Sequence, residues 1–222
     1  MNKIFFQRDN ILAIGTGGSA GSLVLDEIKT ELIRKSIHIL IAFTPVMAAY
    51  SRYFTVMLLM AGTLLYTGME SLRLQGVHIP LVSSLTCMAA RSRDAGRFVL
   101  GPVTLGLGAL LALLLYPSPA ASIAIYALAF GDGIASLVGK IFGRIRPAFM
   151  MGKSLEGSFA CFFMVFLVSY QVSHDYRLSF CAALSATLVE ALPLEDYDNI
   201  VLPLAVGFIV YAYEQFPKLG LF

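Results

Sequence analysis

Seven apolar runs, each holding at most one charged side chain, constrain this chain more than any other feature. They cover residues 36–50, 53–69, 98–116, 120–139, 155–172, 178–194 and 200–216. A helix needs about 20 apolar residues to cross a bilayer core. Within that core the backbone must satisfy its own N–H and C=O groups, which leaves helices as the natural solution for runs of this kind. Composition agrees: 58% of residues are apolar and 14% are charged, against roughly 25% charged in soluble domains. The expectation is an all-α, polytopic membrane helical bundle with about seven transmembrane helices.

The charges between the runs give an orientation. Arg34 and Lys35, then Arg73, Arg91, Arg93 and Arg97, then Lys140, Arg144, Arg146 and Lys153 fall on one side; only Arg52, Arg177 and Lys218 fall on the other. By the positive-inside rule the first side, with the N-terminus, is cytosolic and the C-terminus is outside. Residues 22–35, "SLVLDEIKTELIRK", space their apolar positions at near-helical intervals and predict an amphipathic interfacial helix before the first crossing. The expected organisation is therefore a segment over 1–35 and a transmembrane catalytic bundle over 36–222. The stretch "HIPLVSSLTCMAA", residues 78–90, is too short to span and predicts an interfacial or re-entrant helix.

Other signals are quieter. Cys87, Cys161 and Cys181 lack metal-site or CxxC spacing and read as packing residues. Arg8 and Asp9 interrupt the N-terminal apolar patch, so a cleaved signal is not expected. "GTGGSAG" at 15–21 follows no convincing strand, and Gly152-Lys153-Ser154 lacks the first glycine of a P-loop. The net charge of +2 carries no functional signal, and no nucleic-acid partner is expected.

Ionisable groups inside or beside membrane spans are costly, so each is a functional candidate. Most here gather on the cytosolic side: His38, Glu70, Arg73, Asp94, Asp132, Lys140, Lys153, Glu156, Glu190, Asp198 and Asn199. Carboxylates supply hard oxygen ligands for Mg²⁺, while Lys and Arg supply charge for phosphate, so the array suits a nucleoside triphosphate with its metal. In "AFGDGIASLVGKIFGR", Asp132, Ser136, Gly139 and Lys140 fall near one helical face. Read singly, Asp132 fits a buried ion pair or a metal ligand, His38 fits a hydrogen-bonded bundle residue, and Glu70 with Arg73 fits a simple i, i+3 pair.

The segments "RKSIHI", "ESLR", "RFVLGP", "GDGIASLVGKIFGR", "GKSLEGS" and "ATLVEALPLEDYDNIVLPLA" extend in order from residue 34 to 206. Together they resemble the CTP-dependent lipid kinases that include dolichol kinase, phytol kinase and yeast-type diacylglycerol kinase. The resemblance implies transfer of the terminal phosphate of CTP, or another nucleoside triphosphate, to a polyprenol, a phytol-like alcohol or diacylglycerol. It implies Asp132 and Asp198 for a divalent metal such as Mg²⁺. Arg34, Lys35, Ser136, Gly139, Lys140, Arg144, Lys153, Glu156 and Asn199 are the nucleotide-side candidates, and Glu190 or His38 would handle the hydroxyl proton. At Ser136 the sequence departs from phytol kinases, which tend to carry a second aspartate there. A phosphatidate cytidylyltransferase shares part of the pattern but not its C-terminal signature; a transporter with a buried anion site is a more remote alternative.

Overall fold

The structure is a computed structural model, and it describes residues 20–77, 96–147, 150 and 152–215, with side chains from Lys29 onward. Among these residues every regular element is helical: α1 (Ala20–Leu40), α2 (Thr44–Leu74), α3 (Gly101–Leu115), α4 (Ala120–Tyr126), α5 (Gly133–Ile141), α6 (Leu155–Ser173), α7 (Tyr176–Glu190) and α8 (Asp198–Gln215). A 3₁₀ turn, Ile41–Phe43, joins α1 to α2, and a π-helical turn, Ala127–Asp132, joins α4 to α5. The segment 78–90 and Asp94 lie outside the described residues.

Among the described residues three helical segments are long and apolar enough to cross a membrane: Lys29–Leu74, Ala120–Ile141 and Leu155–Ser173. The first has 46 residues. At about 1.5 Å per residue it would, if straight, far exceed a hydrocarbon core of about 30 Å. It folds back instead, because Ser51 leaves the helical region (φ −153°, ψ 101°) between two apolar runs. Arg52, just beyond this break, donates to the carbonyls of Leu113 and Tyr116, the latter at 3.1 Å. Near the other end of α2, Glu70 accepts from the backbone N–H of Val99 at 2.9 Å. Residues from α1, α5 and α7 meet at that same end, while Tyr213 of α8 reaches Asp175 (3.3 Å) at the opposite one. The helices thus run alternately between two ends.

Small residues let the helices approach closely, as in membrane bundles. Ala120, Ala127, Ala182, Ala183 and Ala186 are buried among Ile123, Leu128, Val165 and Leu202. Gly108 illustrates the tolerance, since a Cβ there would collide with the backbone carbonyl of Asn199. The large apolar side chains that remain exposed, among them Tyr50, Phe54, Leu64, Phe159, Phe163 and Phe208, form an exterior suited to lipid rather than water. Helix α1 passes through residue 35 without a break, and Glu31, Lys35 and His38 on it are buried in the bundle.

Candidate active site

Asp132 closes the π-helical turn, a distortion often found at functional sites. The turn ends at Gly133, after which the α-helical register resumes with Ser136, Gly139 and Lys140 along α5. Asp132 is buried, and its Oδ2 accepts from Lys35 Nζ. His38 Nδ1 lies 3.0 Å from the same oxygen, at ion-pair distance but without hydrogen-bond alignment. Lys35 and His38 are three residues apart on α1 and so face the same way. The N-terminal motif and the glycine-flanked aspartate, 97 residues apart at Lys35 and Asp132, are one structural unit.

Glu31, one turn earlier on the same face, was not singled out by the sequence reading, which placed it on an interfacial helix. The structure buries it at 2% exposure. Its Oε1 accepts from Arg34 Nη2 at 2.5 Å and from Ser136 Oγ at 2.6 Å, and its Oε2 lies 2.9 Å from Lys140 Nζ. Its spacing puts residues 31, 35 and 38 on one helix face by the i, i+4, i+7 rule, but does not say whether that face meets water or another helix.

Facing Asp132 are Glu190, at the C-terminus of α7, and Asp198, at the N-terminus of α8. One oxygen from each of the three carboxylates lies within 4.8 Å of the others. Lys153 Nζ sits 3.2 Å from Glu190 Oε1 and 3.9 Å from Asp198 Oδ2, and also donates to the Glu190 backbone carbonyl. Glu190 Oε2 is buried with no hydrogen-bond partner. A buried carboxyl oxygen without a partner is costly, and a hard cation satisfies it, so this set fits a divalent metal such as Mg²⁺. Asp198 precedes the apolar run that begins at residue 200. Burial, reinforced by the charge of Asp132 and opposed by Lys153, pushes its carboxyl up to about 7.

These groups surround a cavity of about 190 Å³ lined by Arg34, Asp132, Ser136, Lys140, Lys153, Glu190 and Asp198, with Gly139 and Gly157 in its wall. Close helix packing shapes that wall, since a Cβ on Gly157 would lie 2.7 Å from the carbonyl of Ala135. Ser154 caps α6 by accepting from Gly157 N–H at 3.1 Å.

Other candidates sit elsewhere. Glu156 turns to the loop, accepting from the backbone N–H groups of Arg144 (3.0 Å) and Ile145 (3.1 Å). The Arg144 side chain is exposed and outside the cavity lining, which Arg146 joins instead by donating to the carbonyls of Gly152 (2.5 Å) and Gly139 (2.8 Å). Asn199 donates to Thr104 Oγ1 at 2.9 Å, and its buried Oδ1 has no hydrogen-bond partner. Glu70 and Arg73 form a separate clamp on the backbone ahead of α3.

Comparison with known proteins adds an independent line. Phytol kinase 1 of Arabidopsis thaliana, a chloroplastic protein, is 30% identical over 214 aligned residues, covering 85% of this chain and 68% of the relative. A probable phytol kinase of Zea mays is 27% identical over 85% of this chain and 69% of its own length. A probable phytol kinase 1 of Glycine max is 30% identical over 63% of this chain and 52% of its own. No protein-family model and no solved structure matches the chain.

Proposed function

The chain belongs to the phytol kinase family, and from that premise we propose that it is a membrane lipid-alcohol kinase that uses CTP and Mg²⁺ to phosphorylate a phytol-like isoprenoid alcohol. The observation that carries this reading is the meeting of three carboxylates with Arg34, Lys140 and Lys153 around one cavity at the end of an apolar bundle. Phosphoryl transfer asks for positioning and charge neutralisation more than covalent chemistry.

Asp132, Glu190 and Asp198 would hold Mg²⁺, which when bound neutralises charge on the phosphate oxygens. Arg34, Lys140 and Lys153 bind the phosphates from the cavity wall. The acceptor oxygen forms a bond to the terminal phosphorus while the bond from that phosphorus to its bridging oxygen breaks, leaving a nucleoside diphosphate. The hydroxyl proton passes to the imidazole of His38. Lys35 holds Asp132 in place through its ion pair. The chain crosses the membrane seven times, with the last crossing starting at residue 200, and the site faces the cytosol, as the cation asymmetry implies.

Incubating the purified protein with CTP labelled at the γ or the α phosphate, with phytol, a polyprenol, diacylglycerol and phosphatidate as acceptors, tests the reading. Label should reach phytol from the γ position. Label reaching phosphatidate from the α position would establish a cytidylyltransferase in its place.

A further inference from the structure

The polar cavity is not the only space that reaches Asp132. A small throat of about 10 Å³ also touches this residue, shared by Arg34, His38, Asp132, Asp196, Asp198 and Asn199. It adjoins a second pocket of about 20 Å³ walled by Ile37, Val99, Pro102 and Leu105, with Arg34, His38 and Asp196 as its polar lining. The three spaces form a series in which Arg34 lines all of them, Asp132 lines the first two and His38 the last two. Polarity changes along it, from carboxylates and cations to aliphatic side chains of α1 and α3.

We propose that this second pocket receives the hydroxyl-bearing end of the lipid alcohol, so that donor and acceptor approach Asp132 through different spaces. This rests on the kinase reading above and adds where the acceptor binds. A volume of about 20 Å³ holds one small group at most, since a water needs about 10–15 Å³ by a comparable measure. A hydroxymethylene fits, and the walls of Ile37, Val99, Pro102 and Leu105 suit the carbons behind it. A nucleotide phosphate does not fit a space of that size, and the Asp196 carboxylate in its lining disfavours an anion. His38 is buried at 4% exposure with Nδ1 lacking a hydrogen-bond partner, and it lines both this pocket and the throat to Asp132. The arrangement separates the substrates by chemistry: a charged one enters where cations line the wall, an apolar one where aliphatic side chains do.

Ile37 is half-buried and takes no part in the polar site, so it can be enlarged. Ile37→Trp should raise the KM for phytol tenfold or more and leave the KM for CTP within twofold. An unchanged phytol KM in a folded, active Ile37→Trp protein would overturn the subsite while leaving the kinase reading intact. Wild-type protein that transfers label to no alcohol would overturn both. A photoreactive alcohol, with a diazirine a few carbons from the hydroxyl, gives a readout that needs neither turnover nor a mutant. In the wild-type protein it should label peptides containing Ile37 or residues 99–105, and saturating CTP should not remove the label. Labelling confined to other helices, or abolished by CTP, would overturn the proposal.

Discussion

Asp132 and Glu70 are both carboxylates buried in an apolar bundle beside a cation, yet their surroundings differ. Glu70 is saturated: Arg73 meets it in a fork, with Nε and Nη2 each at 2.7 Å from its oxygens, and the backbone N–H of Val99 adds a third bond at 2.9 Å. Asp132 shares one oxygen between Lys35 and His38 and has two further carboxylates close by. A bidentate pair with matched donors holds structure together. Three crowded carboxylates with a partnerless oxygen among them, at Glu190 Oε2, are not saturated even by Lys35 and Lys153, which leaves room for a bound cation. Burial and charge alone therefore do not separate clamp from site, whereas saturation does.

The sharpest way to break that contrast is Asp132→Asn. Turnover should fall a hundredfold or more, equivalent to about 2.7 kcal/mol of transition-state stabilisation. The fold should survive, because the amide still accepts from Lys35 and Glu31 stays 4.0 Å from that lysine. Near-normal turnover in a γ-phosphate transfer assay would make Asp132 another clamp. Glu70→Gln tests the other half. Losing the charged bonds should cost about 2 kcal/mol of stability, seen as a lower melting temperature in detergent, with turnover per folded molecule unchanged. A selective loss of turnover would place Glu70 in the site.

Asp198 supplies a smaller, graded effect. Its carboxyl, pushed up to about 7, holds a proton over part of the neutral range, and a metal ion must displace that proton to bind. Divalent-ion affinity should therefore rise with pH through about 7, falling about tenfold for each unit below. Titration with Mn²⁺ followed by electron paramagnetic resonance checks this; a flat profile between about pH 5.5 and 8 would remove Asp198 from the metal set. The smallest effect belongs to the far end of the bundle, where Tyr213 donates to Asp175 at 3.3 Å. Tyr213→Phe should shift stability by no more than about 0.5 kcal/mol and leave turnover alone.

Much of this was legible in the chain itself. The apolar runs from residue 98 onward begin and end near helices, and the break between residues 50 and 53 is the one that Ser51 makes, whereas the first run, 36–50, starts deep inside α1. The face shared by Asp132, Ser136, Gly139 and Lys140 follows from helical periodicity, and the i, i+3 pairing of Glu70 with Arg73 was one of its plain readings. Three features were not legible. Arg146 rather than Arg144 reaches the cavity, because the loop after α5 is held by Glu156 through backbone N–H groups that no side-chain pattern reveals. The π-helical turn ahead of Asp132 has no periodic signature. Glu31 was hidden because a charged residue on an amphipathic helix looks the same whether its polar face meets water or a neighbouring helix.

The sequence by itself determined the class of the protein and the inventory of its chemistry. A backbone in lipid has to be helical, and carboxylates and cations are too costly in an apolar bundle to be there without partners. Which partners they take was decided only in three dimensions. Glu31, Lys35 and His38 on α1 reach α5, and Lys153 ahead of α6 reaches the ends of α7 and α8. Ion pairing acts over a few ångströms of space and is indifferent to the number of residues between the charges.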